Sequence, residues 1–247
     1  QKLMKPIILI PARLSATRLP NKPLADIAGE PMIVHVWRKA TASLIARVVV
    51  ACDHPDIQSA ITARGGEAIL TDPHLPSGSD RIWQALCSID PPCHFDTIIN
   101  LQGDLPTLDS DLIGRALEPL KAGFDVSTLA ALIKNPEEID RDSVVKIALS
   151  GHEDDRIRQA FYFSRRAIPY GEGPYYHHIG IYGYKRQALE KFVACTPTVL
   201  EKREKLEQLR ALELGLTLGV SVVDTIPIGV DTPQDLERVR IMLQKTF

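Results

Sequence analysis

Residues Ile7-Ile8-Leu9-Ile10 form an unbroken run of β-branched and leucine side chains, which Pro11 and the Ser and Thr beyond it stop abruptly. A run with no polar face reads as a strand covered on both sides, the condition of a parallel sheet. Such a strand obliges the chain to return by crossovers, and the next sixty residues supply them. Behind Gly29-Glu30 and a helix-opening Pro31, the apolar residues Ile33, Val36, Trp37, Ala40 and Leu44 recur at helical spacing. Arg47–Cys52 is a second buried run, a polar helix to about Arg64 ends at Gly65-Gly66, and Glu67–Thr71 makes a third strand. The βαβαβ alternation predicts an α/β fold built on a doubly wound, mostly parallel sheet.

The loop after the first strand carries Arg13, Arg18 and Lys22 with no acidic residue between them. Like charges crowded on one short segment repel unless an anion sits among them, and guanidinium forks match phosphate oxygens. Cations on a surface loop are otherwise merely solvated. The position decides in favour of a polyphosphate, because α/β sheets bind ligands at the carboxyl ends of parallel strands. Glycine-rich phosphate loops and dinucleotide fingerprints are absent.

Further along, Pro76-Ser77-Gly78-Ser79-Asp80-Arg81 precedes a helix expected from about Asp80 to Ile89, and reads either as an N-cap or as a surface for a nucleotide's polar edges. Asp96–Asp104 is a central strand running into Gln102-Gly103-Asp104. A carboxylate delivered beside phosphate-binding cations points to a bridging divalent cation, although Asp is also common in turns. A helix from Asp109 to about Gly123 and strands over Val126–Ile133 and Val144–Leu149 follow. Lys146, inside the last of these, reads as an edge charge or as a ligand contact.

All six tyrosines fall between Tyr162 and Tyr184, together with His177 and His178. Aromatics concentrated in this way suit a subunit interface, a pocket for a polyhydroxylated ligand, or a small aromatic core. Pro169, Gly171, Gly173 and Pro174 make the middle of this region an excursion from the sheet, and Ile179–Tyr184 returns as a strand. The charged run Leu200–Arg210 reads as a solvated helix. Val220–Val223 and Pro227–Val230 supply late strands, and Thr232-Pro233-Gln234-Asp235 forms a capping box. Asp231 is left outside that cap, at an expected strand end, and is the natural partner of Asp104 for a metal.

With 247 residues the chain can bury a large core, and a net charge of -2 argues against nonspecific binding to nucleic acid or anionic membrane. Four cysteines without paired spacing give no case for a disulfide or zinc framework, and no apolar run approaches a membrane span. The cytoplasm is the expected compartment.

Taken together, the segments IPARLSATRLPNKPL, GEPMIVHVW, ACDHPDI, PSGSDR, NLQGD, VVKI, YFSR, HIGIYGY, LEQLR and GVDTPQDLERVR resemble the 3-deoxy-manno-octulosonate (Kdo) cytidylyltransferase family along nearly the whole chain. The resemblance implies a Rossmann-like sheet of the nucleotide-diphospho-sugar transferase type, with 1–247 as a single nucleotidyltransferase domain and 160–184 as a dimerisation and sugar-binding arm. It implies a Mg²⁺-dependent, cytoplasmic homodimer that joins CTP and Kdo for lipopolysaccharide synthesis and releases pyrophosphate. Position by position, Arg13, Arg18 and Lys22 are similar to the triphosphate clamp. Ser77, Gly78 and Arg81 are similar to part of the cytidine loop. Gln102 and Asp104 match Gln-Gly-Asp, and Asp104 and Asp231 match the metal pair. Gln102, Arg165, His178, Tyr182, Glu207 and Gln208 fall on the sugar-acid side. Arg13, Lys22, Asp104 and Asp231 are the expected catalytic set. The chain departs from the pattern at Asn21 (usually Gly), Cys52 (usually Thr), Ser79-Asp80 (usually Thr-Glu), Leu105 (usually Glu) and His177 (usually Arg). Asn tolerates the left-handed backbone a glycine would adopt, so the turn at Asn21 is expected to survive.

Overall fold

The structure, a computed structural model, describes residues 3–15 and 18–244; Thr17, counted above among the residues that stop the first strand, lies outside them. The chain forms two compact units, one made by residues up to Ile113 together with those from Pro227 onward, the other by residues 114–226.

The first unit opens with β1 (Pro6–Ala12), in which Ile7, Ile8, Leu9 and Ile10 have no exposed surface. A short ladder of β2 (Asp26–Ile27) and β3 (Glu30–Pro31) precedes α1 (Met32–Ala42). Then come β4 (Arg47–Cys52), α2 (Pro55–Thr62), β5 (Glu67–Leu70), α3 (Gly78–Ile89) and β6 (Thr97–Leu101). The order β5-β4-β1-β6 is parallel throughout, with Ile7 opposite both Arg47 and Ile98 and Val49 opposite Glu67. This is the parallel sheet that the apolar runs predict, with the first strand at its interior. α1 buries Met32, Ile33, Val34, Val36 and Ala40. Each such aliphatic side chain removed from water contributes about 1.5–3 kcal/mol. Leu44 departs from the expected stripe: α1 ends at Ala42, Leu44 turns left-handed at φ 55, and its side chain is 90% exposed.

The second unit takes in most of α4 (Asp111–Lys121), then β7 (Val126–Leu132), β8 (Lys146–Leu149), β9 (Ile157–Ser164) and β10 (Tyr176–Lys185), followed by α5 (Arg186–Ala194), α6 (Val199–Glu204), α7 (Leu209–Glu213) and β11 (Leu218–Val223). Its sheet is mixed. β7 pairs antiparallel with β10 and parallel with β11, while β9 runs antiparallel to both β11 and β8. The mostly parallel expectation therefore holds for the first unit only. In the second, Pro and Gly between residues 165 and 175 return the chain without a helical crossover, and direct returns produce antiparallel pairs. β9 was unanticipated, because its aromatics were read as an arm rather than as alternating strand residues. Gly183 is required on β10, since a Cβ there would meet Leu120 Cδ1 at 2.9 Å and the Ala116 carbonyl oxygen at 3.1 Å.

The charged run breaks where a single helix was expected. Lys205 adopts φ 56 and ψ 46, which ends α6 before α7 begins. Two of its charges are not solvated: Glu201 (8% exposed) and Arg210 (4% exposed) form a bidentate pair at 2.6 and 2.8 Å. Residues Pro227–Val230 are irregular rather than a strand. They lead back into the first unit, where α8 (Pro233–Gln244) joins Ile27, Met32, Val230, Leu236 and Val239 in one buried cluster.

Candidate active site

The carboxyl end of β1 is the anchor of the first unit's site. Gly103 lies so close to it that a Cβ would stand 3.0 Å from the Pro11 carbonyl oxygen and 3.2 Å from Ile33 Cδ1. The glycine of Gln-Gly-Asp is therefore set by the approach of the β6 loop to the first strand. Beyond Pro11 the cation loop is pinned at both ends. The Leu14 N–H donates to Asp53 Oδ1 at 3.0 Å and the Asn21 N–H to the Leu14 carbonyl at 3.2 Å. Asn21 sits at φ 56 and ψ 28, the left-handed conformation expected of it. Arg13 and Arg18 are exposed, and Lys22 opens a single 3-10 turn over the buried Pro23.

Lys22 Nζ lies 3.3 Å from Asp104 Oδ2 and 3.4 Å from Asp231 Oδ1. The two carboxylates are far apart in sequence, and a backbone bond brings them together: the Val230 N–H donates to the Asp104 carbonyl at 2.9 Å. Asp231 is then left free by the cap of α8, because Asp235 Oδ2 takes the N–H groups of Asp231 and Thr232. Burial pushes the Asp104 carboxyl above its ordinary range, Lys22 pulls it down, and Asp231 pushes it up again. Two carboxylates converging on one cation make a site for positive charge. Among the described residues no third His, Cys, Asp or Glu completes a larger cluster. Leu105 is buried, with Gly229 beside it, so this position supplies packing under the pair where a Glu would have supplied charge.

On the neighbouring loop, Ser77 Oγ accepts the Asp80 N–H at 3.2 Å and donates to Asp80 Oδ2 at 2.6 Å, which makes it the N-cap of α3. Gly78 places its Cα against Pro11, where a Cβ would stand 3.3 Å from Cγ. Arg81 is buried, and its Nη1 donates to Thr71 Oγ1 and to the Asp72 carbonyl. Burial lowers its pKa, with Asp53 opposing and Arg13 reinforcing the shift. Arg81 thus ties the loop down from beneath. Gln102 Nε2 donates to Asn100 Oδ1 at 3.3 Å. Asp53 was missed by sequence reasoning, since an Asp ending a strand before His-Pro looks like any turn residue; its hold on Leu14 became visible only in three dimensions.

Of the expected sugar-side residues, Arg165, His178, Tyr182, Glu207 and Gln208 lie in the second unit and Gln102 in the first. His178 Nε2 is 3.0 Å from Thr128 Oγ1, whose single hydroxyl proton is directed to the Ile179 or Ile181 carbonyl. Thr128 must then accept from His178, which fixes the Nε2–H tautomer. Phe163 meets the imidazole edge-on and Tyr182 tilts against it. Burial, reinforced by His177, lowers the His178 pKa to about 3, so the ring is neutral near pH 7. Tyr182 is held well above its ordinary value by burial, then by Tyr184 and Glu207. Gln208 is buried at the start of α7. Arg165 is already engaged: Nε donates to the Glu204 carbonyl, Nη1 to that of Asp142 and Nη2 to that of Lys205. Lys146 is neither an edge charge nor an exposed ligand contact, because it has no exposed surface and its ammonium faces backbone carbonyls. Arg13, Arg18, Lys22, Ser77, Gln102, Asp104 and Asp231 lie in loops of the first unit, with Gly78 and Arg81 in the first turn of α3, and bonds join Lys22, Asp104 and Asp231 among them.

A parallel sheet whose strand ends carry exposed arginines and a lysine between two carboxylates is the arrangement of a nucleotide-binding α/β transferase, and a cytidylyltransferase family model matches residues 7–218. The chain is 56% identical over 241 residues to the 3-deoxy-manno-octulosonate cytidylyltransferase of Parvibaculum lavamentivorans, covering 97% of this chain and 93% of that one. It is 53% identical to the protein of the same name from Paramagnetospirillum magneticum, covering 98% of each. A solved structure of CMP:2-keto-3-deoxy-manno-octonic acid synthetase complexed with CTP matches with a TM-score of 0.89 at 36% identity, covering 98% of this chain and all of that one. A 4-diphosphocytidyl-2C-methyl-D-erythritol synthase from Anaerococcus prevotii, at 12% identity and a TM-score of 0.65, shares the fold. The chain belongs to the 3-deoxy-manno-octulosonate cytidylyltransferase family.

Proposed function

We propose that this chain joins CTP to Kdo, forming CMP-Kdo and pyrophosphate. The observation that carries the reading is the convergence of Lys22 on Asp104 and Asp231 beside the exposed Arg13 and Arg18. Near-complete coverage by relatives of that name and by a synthetase solved with CTP supports it.

The anomeric hydroxyl of the sugar acid attacks the α-phosphorus in line, a new O–P bond forms as the bond from that phosphorus to the α–β bridging oxygen breaks, pyrophosphate leaves with the bond's electron pair, and the hydroxyl proton passes to water. Catalysis here is positioning and charge neutralisation, with no covalent enzyme intermediate. Arg13, Arg18 and Lys22 neutralise the departing pyrophosphate, while Ser77, Gly78 and Gln102 face the nucleotide. Arg81 holds their loop through Thr71 and Asp72. On the acceptor side Tyr182, Glu207 and Gln208 present hydroxyl, carboxylate and amide groups suited to a polyhydroxylated acid, and neutral His178 offers an Nδ1 lone pair to a hydroxyl proton.

The family implies Mg²⁺, and the donor set fits it. Two carboxylates already gathered on a cation match a metal that takes one or two carboxylates and fills its other positions with water and phosphate. Asp104 and Asp231 would hold it, and when bound it supplies charge neutralisation at the α-phosphate. The reading extends to a homodimer, supported by a fully exposed Tyr170 in the aromatic excursion. Lipopolysaccharide synthesis in the cytoplasm is the corresponding role, and no described helix is long and apolar enough to cross a membrane.

The test is pyrophosphate release with Mg²⁺ for CTP, UTP and ATP, each against Kdo and a sialic acid. Turnover with CTP and Kdo above every other pair is expected; a preference for the sialic acid, or CTP binding without turnover, would overturn the assignment.

A further inference from the structure

Lys146 is a long charged side chain with no exposed surface, yet the mechanism above gives it no task. Its ammonium has three N–H donors and the structure supplies three acceptors, the carbonyls of Arg141 at 2.9 Å, Val144 at 2.6 Å and Arg165 at 2.5 Å. A buried charge is tolerated only where its donors are satisfied, so these three carbonyls are fixed relative to one another. One belongs to Arg165, which passes the constraint on. Its N–H reaches Glu204 Oε2 at 3.3 Å, and its guanidinium spans the carbonyls of Glu204, Asp142 and Lys205 at 3.0, 3.0 and 3.2 Å. Glu204 is held from the other side by Ser164 and Tyr162. The left-handed Lys205 then leads directly into Glu207 and Gln208.

The same strand also sets His178. Val145, next to Lys146, accepts the His178 N–H at 2.8 Å, and Lys146 itself lies opposite His177 in the β8–β10 register. One buried ammonium therefore stands behind three groups on the acceptor side: Arg165, the turn before Glu207 and Gln208, and the backbone of His178. Of the five guanidinium N–H groups of Arg165, three meet carbonyls, which leaves one on each Nη for a ligand.

We propose that Lys146 is a positioning residue for the sugar acid, acting through Arg165 to fix the Glu204–Gln208 turn. The inference rests on the assignment of that turn to the acceptor. Lys146→Met keeps the length of the side chain and removes its three donors, taking the ammonium from the Val144 and Arg165 carbonyls and leaving the Arg141 carbonyl with the Val144 N–H at 3.0 Å. Two measurements read the effect, steady-state kinetics in CTP and in Kdo, and amide hydrogen exchange. The expected result is a KM for Kdo raised roughly 10- to 100-fold, with the KM for CTP within about twofold of wild type. The amides of Arg165 and Leu206 should exchange at least about tenfold faster, while those of the Asn21–Leu24 turn keep their wild-type rates. Unchanged exchange at Arg165 and Leu206 together with an unchanged KM for Kdo would overturn the proposal, as would equal increases in both KM values.

If the wild type itself shows no turnover with Kdo, the functional assignment fails and the exchange comparison alone decides the positioning claim. Should Lys146→Met not fold, Arg165→Lys takes its place, since it keeps the charge but loses the fork that spans three carbonyls. Faster exchange at Leu206 is then expected, and wild-type exchange there would refute the link.

Discussion

Lowering the pH should destabilise this protein through His178 in a way that can be worked from its surroundings. The imidazole is neutral, its Nε2–H is committed to Thr128, and two aromatic rings flank it, so a proton can be added only at Nδ1 in a poorly solvated place. The folded pKa is about 3, against 6.5 for the unfolded chain. A histidine with a depressed folded pKa contributes its full stability above the unfolded value and loses it as the pH falls through the interval between the two. Each pH unit below the unfolded value then removes about 1.4 kcal/mol, so about 2 kcal/mol is lost at pH 5. The residual surface of the ring allows some hydration of the cation, which makes this an upper figure. The assay is urea unfolding at several pH values between about 7.5 and 4.5 for wild type and for His178→Gln, which cannot take up the proton. The wild type should lose stability more steeply by close to one proton. Parallel curves for the two proteins, or an NMR midpoint for His178 near 6.5, would refute the reasoning.

Two further perturbations follow from buried contacts. Glu201→Gln removes the carboxylate charge paired with the buried Arg210 guanidinium and leaves it facing neutral groups such as the Phe192 and Cys195 carbonyls at 3.4 and 3.3 Å and the Phe192 ring, so denaturation should show a loss of about 3 kcal/mol or more; a loss below about 1 kcal/mol would mean that the pair is solvated after all. Gly103→Ala pushes a methyl against the Pro11 carbonyl and Ile33, which should cost about 1–3 kcal/mol in thermal unfolding and displace Asp104, lowering the rate of pyrophosphate release as well.

Much of the first unit was legible because local sequence and global placement agree there. A run such as Ile7–Ile10 has only one comfortable environment, and a cation loop at its carboxyl end has few reasons to exist. Asn21 could be assigned its left-handed turn because the resemblance puts a glycine there and Asn tolerates the same backbone. The second unit was less legible, because its determinants are pairwise and distant. Nothing in Leu200–Arg210 marks Glu201 and Arg210 as a buried pair, since mixed charge at these spacings looks the same on a solvated helix. Strand β9 hid its alternation under aromatic residues on both faces. Lys146 could not be placed because three carbonyls, rather than any side chain, receive it. Asp231 was singled out by elimination from the capping box and does lie at Lys22, although the strand expected before it is absent and a single backbone bond from Val230 to Asp104 takes that strand's place.

The central claim is that the carboxylate pair facing Lys22 is where CTP and Kdo are joined. The most direct measurement is pyrophosphate release from CTP and Kdo with Mg²⁺ by wild type and by Asp104→Ala, with the fold of the variant verified by circular dichroism. Loss of this charge-organising contact should lower the rate by ~100-fold or more. An undiminished rate in the folded variant would remove Asp104 from the mechanism and contradict the account.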